Sequence, residues 1–220
     1  MKNDFDPSKI TIRLETKDDY PVVENMIREA FWNVNVPGAS EHYLAHLLRD
    51  DETFIPELDF VAEIDGKIAG SIMYVRARLI AEDGTVKDCI SFGPLSVHPD
   101  YQRRGIGKAL IEHSFEKAKE MGATIVVILG HPSNYVARGF VSCIRKNICF
   151  DDGYFCSALL VKELVPNSLD GRRYRYEESP VFNLDENEIE EFDKKFPKKE
   201  KKVLPGQEEF FINSHSVVHL

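Results

Sequence analysis

Residues 95–110 read Leu-Ser-Val-His-Pro-Asp-Tyr-Gln-Arg-Arg-Gly-Ile-Gly-Lys-Ala-Leu, and no other stretch restricts the fold as much. An apolar strand ends at Val97, Pro99 blocks its smooth continuation, and a helical pattern opens across residues 102–107 and runs towards Met121. The first amides of such a helix have no internal partner and lie at the positive end of the dipole, so the junction is suited to an anion. Gly105 and Gly107 lack a Cβ, which lets a diphosphate approach the main chain. Arg103, Arg104 and Lys108 add positive charge at the same spot, an electrostatic fault at a helix start unless an anion sits there.

A chain of 220 residues can bury one sizeable core, or form one domain with an appendage. The net charge of −9 argues against non-specific nucleic-acid binding and slightly favours a cationic partner. The first residues, Met-Lys-Asn-Asp-Phe-Asp-Pro, lack the apolar run of a signal peptide, and no stretch is long and apolar enough to span a bilayer. The expectation is a cytoplasmic protein with no membrane partner. Cys89, Cys143, Cys149 and Cys156 show no zinc-type spacing, so reduced, buried thiols and no metal are expected.

Along the chain, Ile10, Ile12 and Leu14 alternate as in a half-buried strand. Thr16 with Asp19 forms a capping-box pattern before a helix bearing Val22, Val23, Met26, Ile27, Ala30 and Phe31. After the Pro37-Gly38 break, Ser40 is placed to cap a short helix with Leu44, Leu47 and Leu48. Trp32 and Tyr43 either line a substrate cleft or join the core, the commoner fate of aromatics at helical spacing. Residues 58–64 and 67–75 flank Asp65-Gly66, a strong hairpin signal. A turn at 82–84 precedes a strand from about Val86 to Val97, where Gly93-Pro94 predicts a distorted or partly unpaired sheet.

The helix after the glycines ends at Gly122, and the apolar run 123–129 reads as a strand buried on both faces. Ser133 is placed to cap a turn over 134–138, residues 139–149 read as a strand, and Asp151-Asp152-Gly153 turns into a last strand over 154–161. Beyond Lys162 the chain becomes irregular, then acidic over 185–193 and lysine-rich over 194–202. Ile189, Phe192 and Phe196 form a stripe through which an amphipathic helix would dock. The lysine run suits an acidic partner or simply a solvated surface beside the acidic run, the commoner case.

Three patterns compete for 102–109. A P-loop fails because Gln102 stands at the first glycine and Ala109 at the hydroxyl; a dinucleotide fingerprint fails because Leu110 stands at the third glycine. Two glycines alone would fit an ordinary strand-to-helix turn. The whole grammar Leu95-x-Val97-x-Pro99-x-x-Gln102-x-x-Gly105-x-Gly107, however, resembles the signature of the GNAT superfamily of acetyl-CoA-dependent N-acetyltransferases, and Tyr135-x-x-x-Gly139-Phe140 is similar to a second motif of that family.

The resemblance implies an α+β GNAT acyltransferase fold over residues 1–162: a mixed, mostly antiparallel sheet of about seven strands, splayed between the fourth and fifth and flanked by helices. Residues 163–220 lie outside it as a C-terminal extension packed on the domain. It implies acetyl-CoA as cosubstrate, with Leu95, Ser96 and Val97 along the pantetheine arm, and Gln102, Arg103, Arg104, Gly105, Ile106, Gly107 and Lys108 around the diphosphate. It also implies direct acetyl transfer to a primary amine of a small molecule or a protein, with Tyr135 as general acid to the leaving thiolate; a homodimer is left open. His131, His98, Asp88 and Glu63 are the titratable candidates for the base, each with a structural role as the commoner alternative. Many family members carry an asparagine one or two helical turns before the tyrosine, whereas here only Asn134 is near, directly adjacent. The competing reading is a non-catalytic acyl-CoA-binding or sensing module on the same fold.

Overall fold

The computed structural model describes residues 9–150 and 153–219. Strand β1 (Thr11–Leu14) leads to helices α1 (Tyr20–Phe31) and α2 (Glu41–Leu48), then to β2 (Phe60–Ile64), β3 (Lys67–Ala81) and β4 (Val86–Val97). Asp65 and Gly66 take φ of 50° and 74°, the left-handed pair that a two-residue hairpin between β2 and β3 requires. Helix α3 (Ile106–Glu120) stops at Gly122, φ 89°, and feeds β5 (Ile125–Leu129) and a single turn, α4 (Pro132–Tyr135). Short strands β6 (Val141–Ser142), β7 (Ile148–Cys149), β8 (Tyr154–Cys156) and β9 (Leu159–Glu163) follow. The last part holds β10 (Tyr174–Glu177), α5 (Glu186–Asp193), α6 (Pro205–His215) and β11 (Val217–His219).

Nine strands share one mixed sheet: β1-β2-β3-β4-β5-β9-β6 runs continuously, β10 pairs antiparallel with the free edge of β3, and β7 pairs with β10. Alternation along β3 divides the core between its two faces. Ile72 and Tyr74 pack with Ile106, Leu110 and Phe115 of α3, while Met73 and Val75 pack with Val23, Ile27 and Leu48 of α1 and α2. A further cluster, formed by Leu79, Cys89, Val127, Ile148, Leu159, Tyr174 and Tyr176, fills the curl where β10 and β7 close against β3. All four cysteines are buried and free within the described residues.

Several local expectations are corrected. The sheet has nine strands beside the about seven expected, because 139–149 is not one strand, a 3-10 turn over Cys143–Lys146 separating β6 from β7, and because β10 adds from beyond residue 162. Residues 154–161 are likewise broken, because the Ser157 amide is drawn to Ser216 O (3.0 Å) while β8 pairs with β11 and β9 with β5. The Ser40 side chain makes no cap; its amide donates to Glu41 Oε2 (3.0 Å). Ser133 does not cap either, since the turn starts at Pro132 and Ser133 Oγ is 2.7 Å from His131 Nδ1. The expected 151–153 turn, and the opening residues searched for a signal peptide, fall partly or wholly outside the described residues. Among the described residues no helix is long and apolar enough to cross a membrane.

Candidate active site

The sheet opens between β4 and β5. These parallel strands pair at Ile90 and Val126 alone, whereas β5 pairs with β9 over all of Ile125–Leu129. On its other edge β4 stays with β3, but the register shifts where Gly93 and Pro94 stand opposite Met73. Proline has no N–H for a ladder, so the bulge redirects β4 away from β5. Leu95 and Val97 are half-buried at the departing strand, and Ser96 is buried between them, 2.8 Å from Ser71 Oγ and 3.4 Å from Met26 Sδ.

At the end of β4, Pro99–Tyr101 forms a 3-10 turn and the Gln102 amide side chain reaches back to Val97 O (3.2 Å), fixing the loop to the strand it leaves. Arg103 takes φ 61° and Gly105 φ 86°, the latter as N-cap of α3. The first bond of the helix runs from Ala109 N–H to Gly105 O (2.9 Å), so the amides of Ile106, Gly107 and Lys108 precede the helical ladder and face outward. A Cβ on Gly105 would meet nothing within 4 Å, and one on Gly107 only Val97 Cγ2 at 3.6 Å. The space above the helix start is therefore open to a group of another molecule. Arg103 and Lys108 are exposed there, Lys108 3.6 Å from Glu112, and Arg104 lies 5.2 Å from the Tyr101 ring centroid.

On the far side of the opening, the Tyr135 ring lies 5.7 Å from both Phe92 and Phe140, centroid to centroid. Phe92 follows Ile90 by two residues, so this contact seats the phenol beside the point of divergence. Burial pushes the Tyr135 hydroxyl up to about 12, slightly opposed by Arg138. It thus keeps its proton at neutral pH. Asn134 is exposed beside it.

The candidate bases are dispersed. Glu63 is held by Arg13 (2.6 Å) at the β1–β2 edge, His98 Nδ1 receives the Asp100 amide (3.2 Å) beyond the end of β4, and Asp88 is exposed on β4 before the opening. His131 is engaged at both ring nitrogens, Nδ1 with Ser133 Oγ and Nε2 with Asn213 Nδ2 of α6 (3.0 Å). Trp32 and Tyr43 are covered by the C-terminal segment: Trp32 Nε1 donates to Glu200 O (3.0 Å) and Tyr43 OH to Glu188 (2.8 Å).

Sequence reasoning missed how far that segment reaches. Phe182 lies over the bulge, where a Cβ on Gly93 would be 3.7 Å from Phe182 Cε1, and Val181, Phe182 and Leu184 pack on the α1–α2 side of the core. Of the stripe Ile189, Phe192 and Phe196, Phe192 is buried among His42, Tyr43 and His46, while Phe196 lies beyond the helix end. Lysines of the basic run pair with Glu29, Glu190 and Glu191. The one local signal for this docking was the aromatic stripe itself.

A sheet split between two parallel strands, with a glycine-bearing helix start at the end of the first, defines the GNAT acyltransferase architecture. The chain belongs to the acetyltransferase (GNAT) family, whose model matches residues 24–143. It is 35% identical over 106 residues to YjhQ of Escherichia coli (strain K12), described as an uncharacterized N-acetyltransferase; the match covers 48% of this chain and 58% of that protein. Among solved structures it is similar to the GNAT family N-acetyltransferase YhbS of Escherichia coli in complex with CoA, with 26% identity, a TM-score of 0.69, and coverage of 81% of this chain and 95% of that one. A Brucella melitensis GNAT family acetyltransferase in complex with acetyl-CoA shares the fold, with 23% identity, a TM-score of 0.61, and coverage of 79% and 97%.

Proposed function

We propose that this chain transfers the acetyl group of acetyl-CoA to a primary amine of a small molecule or protein. One juxtaposition carries the reading: helix-start amides lie at the end of a strand that has left its parallel neighbour after Ile90. These offer a diphosphate and an extended amide-containing arm two separate sets of main-chain partners. The open space over Gly105 and Gly107 fits such a guest. In YhbS, the similar structure, CoA is the molecule bound.

In this reading Leu95, Ser96 and Val97 present the main chain to the pantetheine arm, and the amides from Arg103 to Lys108 hold the diphosphate. Gln102 acts by fixing the loop to Val97. A groove of about 520 Å³ along α3 is bordered by Lys108, Lys119, Arg138 and Lys162 and by Glu112, Glu116 and Glu163, so its charge is nearly balanced. Acetyl-CoA supplies an activated thioester carbonyl. A backbone N–H near 95–97 steadies the oxyanion, the amine nitrogen bonds to the carbonyl carbon, and the carbon–sulfur bond breaks. Tyr135 gives its proton to the departing thiolate.

Incubation of the full chain with acetyl-CoA and a panel of primary amines should release free CoA thiol in an amine-dependent way. CoA binding without thiol release across a broad panel would overturn the catalytic reading.

A further inference from the structure

The reaction proposed above leaves the acceptor's ammonium proton without a destination, and His131, His98 and Glu63, each engaged elsewhere, do not supply one, while Asp88 stands exposed at the rim of the cleft that Glu178 borders. A different group of polar side chains stands at the vertex of the opening. Ser91, next to the last β4–β5 pair, is 2% exposed, and so is Tyr176 of β10. The buried Tyr176 hydroxyl lies against the Ser91 side chain, which acts on it as a hydrogen-bonding neighbour.

Glu178 stands at the same place. Alternation along β10 turns Tyr174 and Tyr176 into the curl of the sheet, and Glu178, two residues further on, is near enough for its charge to act on the Tyr176 hydroxyl. No ion pair or hydrogen bond holds the Glu178 carboxylate among the described residues. Burial alone pushes its carboxyl up to about 7. The residue also borders, with Ile90, a cleft of about 780 Å³. Charged neighbours around that cleft come from every adjoining element: Glu52, Arg76 and Arg78 of β3, Asp88 of β4, and Glu177 of β10. Arg76 is engaged with Phe54 O (2.9 Å) and Arg78 with Glu177 (3.2 Å), so neither cation is spent on Glu178.

We propose that Glu178, brought by the segment that follows the family-matched core, is the base for a cationic primary-amine acceptor that enters through the cleft bordered by Glu178 and Ile90. This rests on the acetyl-transfer reading. The ammonium gives one proton to the Glu178 carboxylate, which later releases it to solvent. The neutral amine then forms the C–N bond, giving the tetrahedral oxyanion, and the C–S bond breaks as that oxyanion collapses. The second nitrogen proton restores the phenol of Tyr135, which has protonated the thiolate.

The test is the pH dependence of kcat/KM for the acceptor, from pH 5.5 to 9, in the full chain and in Glu178→Gln. The wild type should show an acidic limb near pH 7. Glu178→Gln should lose that limb and fall about 100-fold at pH 7, while the thermal shift produced by CoA stays unchanged. Glu178→Asp should recover part of the limb, which a merely structural role would not predict. A Glu178→Gln enzyme with the wild-type profile overturns the assignment. A wild type that binds CoA and acetylates no amine overturns the transfer reading instead, so the two failures are separable.

Discussion

A Cβ on Gly130 would come within 2.6 Å of Tyr135 Cε2, so the backbone just past β5 is the floor on which the phenol ring rests. The ring's other neighbours are Phe92 and Phe140, which leave it no free direction of retreat within the core. Gly130 has no left-handed φ, so an added methyl acts by displacing the ring and not by straining the backbone.

Tyr135→Phe is therefore expected to lower kcat about 100-fold. Gly130→Ala should lower kcat by a smaller factor through displacement of the phenol. Both should keep the thermal shift given by CoA. Steady-state thiol release checks this; an unaltered kcat in both variants would remove Tyr135 from the chemistry.

The two loop glycines should separate stability from binding. Gly105 sits at φ 86°, so Gly105→Ala should cost about 1 kcal/mol and lower Tm. At Gly107 a Cβ would meet only Val97 Cγ2 at 3.6 Å, so Gly107→Ala should melt no lower than wild type. Its methyl would nevertheless stand among the helix-start amides, and CoA should bind at least about tenfold more weakly, roughly 1.4 kcal/mol. Calorimetric titration beside thermal melts decides it.

Acid should loosen the C-terminal segment before the rest. His42 is fully buried 3.2 Å from Asp193, and burial pushes its imidazole down to about 4. The folded chain then binds fewer protons than the unfolded one between about pH 6.5 and 4, so stability falls as pH drops through that window and levels off below it. Asp193, held below its usual range by Arg28 against the opposing effect of burial, acts in the same direction. Trp32, the only tryptophan and bonded to Glu200 O, should report this by fluorescence, and His42→Leu should flatten the response. Equal protection factors for the α5 amides at pH 7.5 and 4.5 would contradict it.

Arg28 is 1% exposed and bound to Asp193 at 2.6 Å. Asp193→Ala would leave that guanidinium buried without its counter-charge, at a cost of about 3 kcal/mol. The paired change Arg28→Met with Asp193→Leu should recover most of the loss. Urea denaturation of the wild type and the two variants gives the comparison.

Local chemistry was legible before any coordinates. Asp65-Gly66 demanded a hairpin, Gly93-Pro94 a disrupted strand, and Gly105 and Gly107 a helix start with open amides, because each is a matter of φ, a missing N–H or an unpaired amide within a few residues. Short strands were less legible. Residues 139–149 and 154–161 looked continuous, but β6, β7, β8 and β9 each take a different partner, and strand ends are set by those partners and not by the residues themselves.

By itself the sequence determined a strand, an anion-ready turn, a helix and a tyrosine motif, and with them the family and the candidate cofactor side of the site. Only the tertiary structure decided what the C-terminal segment touches. Arg28 meets Asp193 across 165 positions, and Phe182 lies over Gly93, while Glu178 comes to rest near Tyr176 and Ser91. No periodicity announces such contacts. The raised carboxyl of Glu178 arises from desolvation, a property of the packing around a group that its neighbours in sequence do not encode.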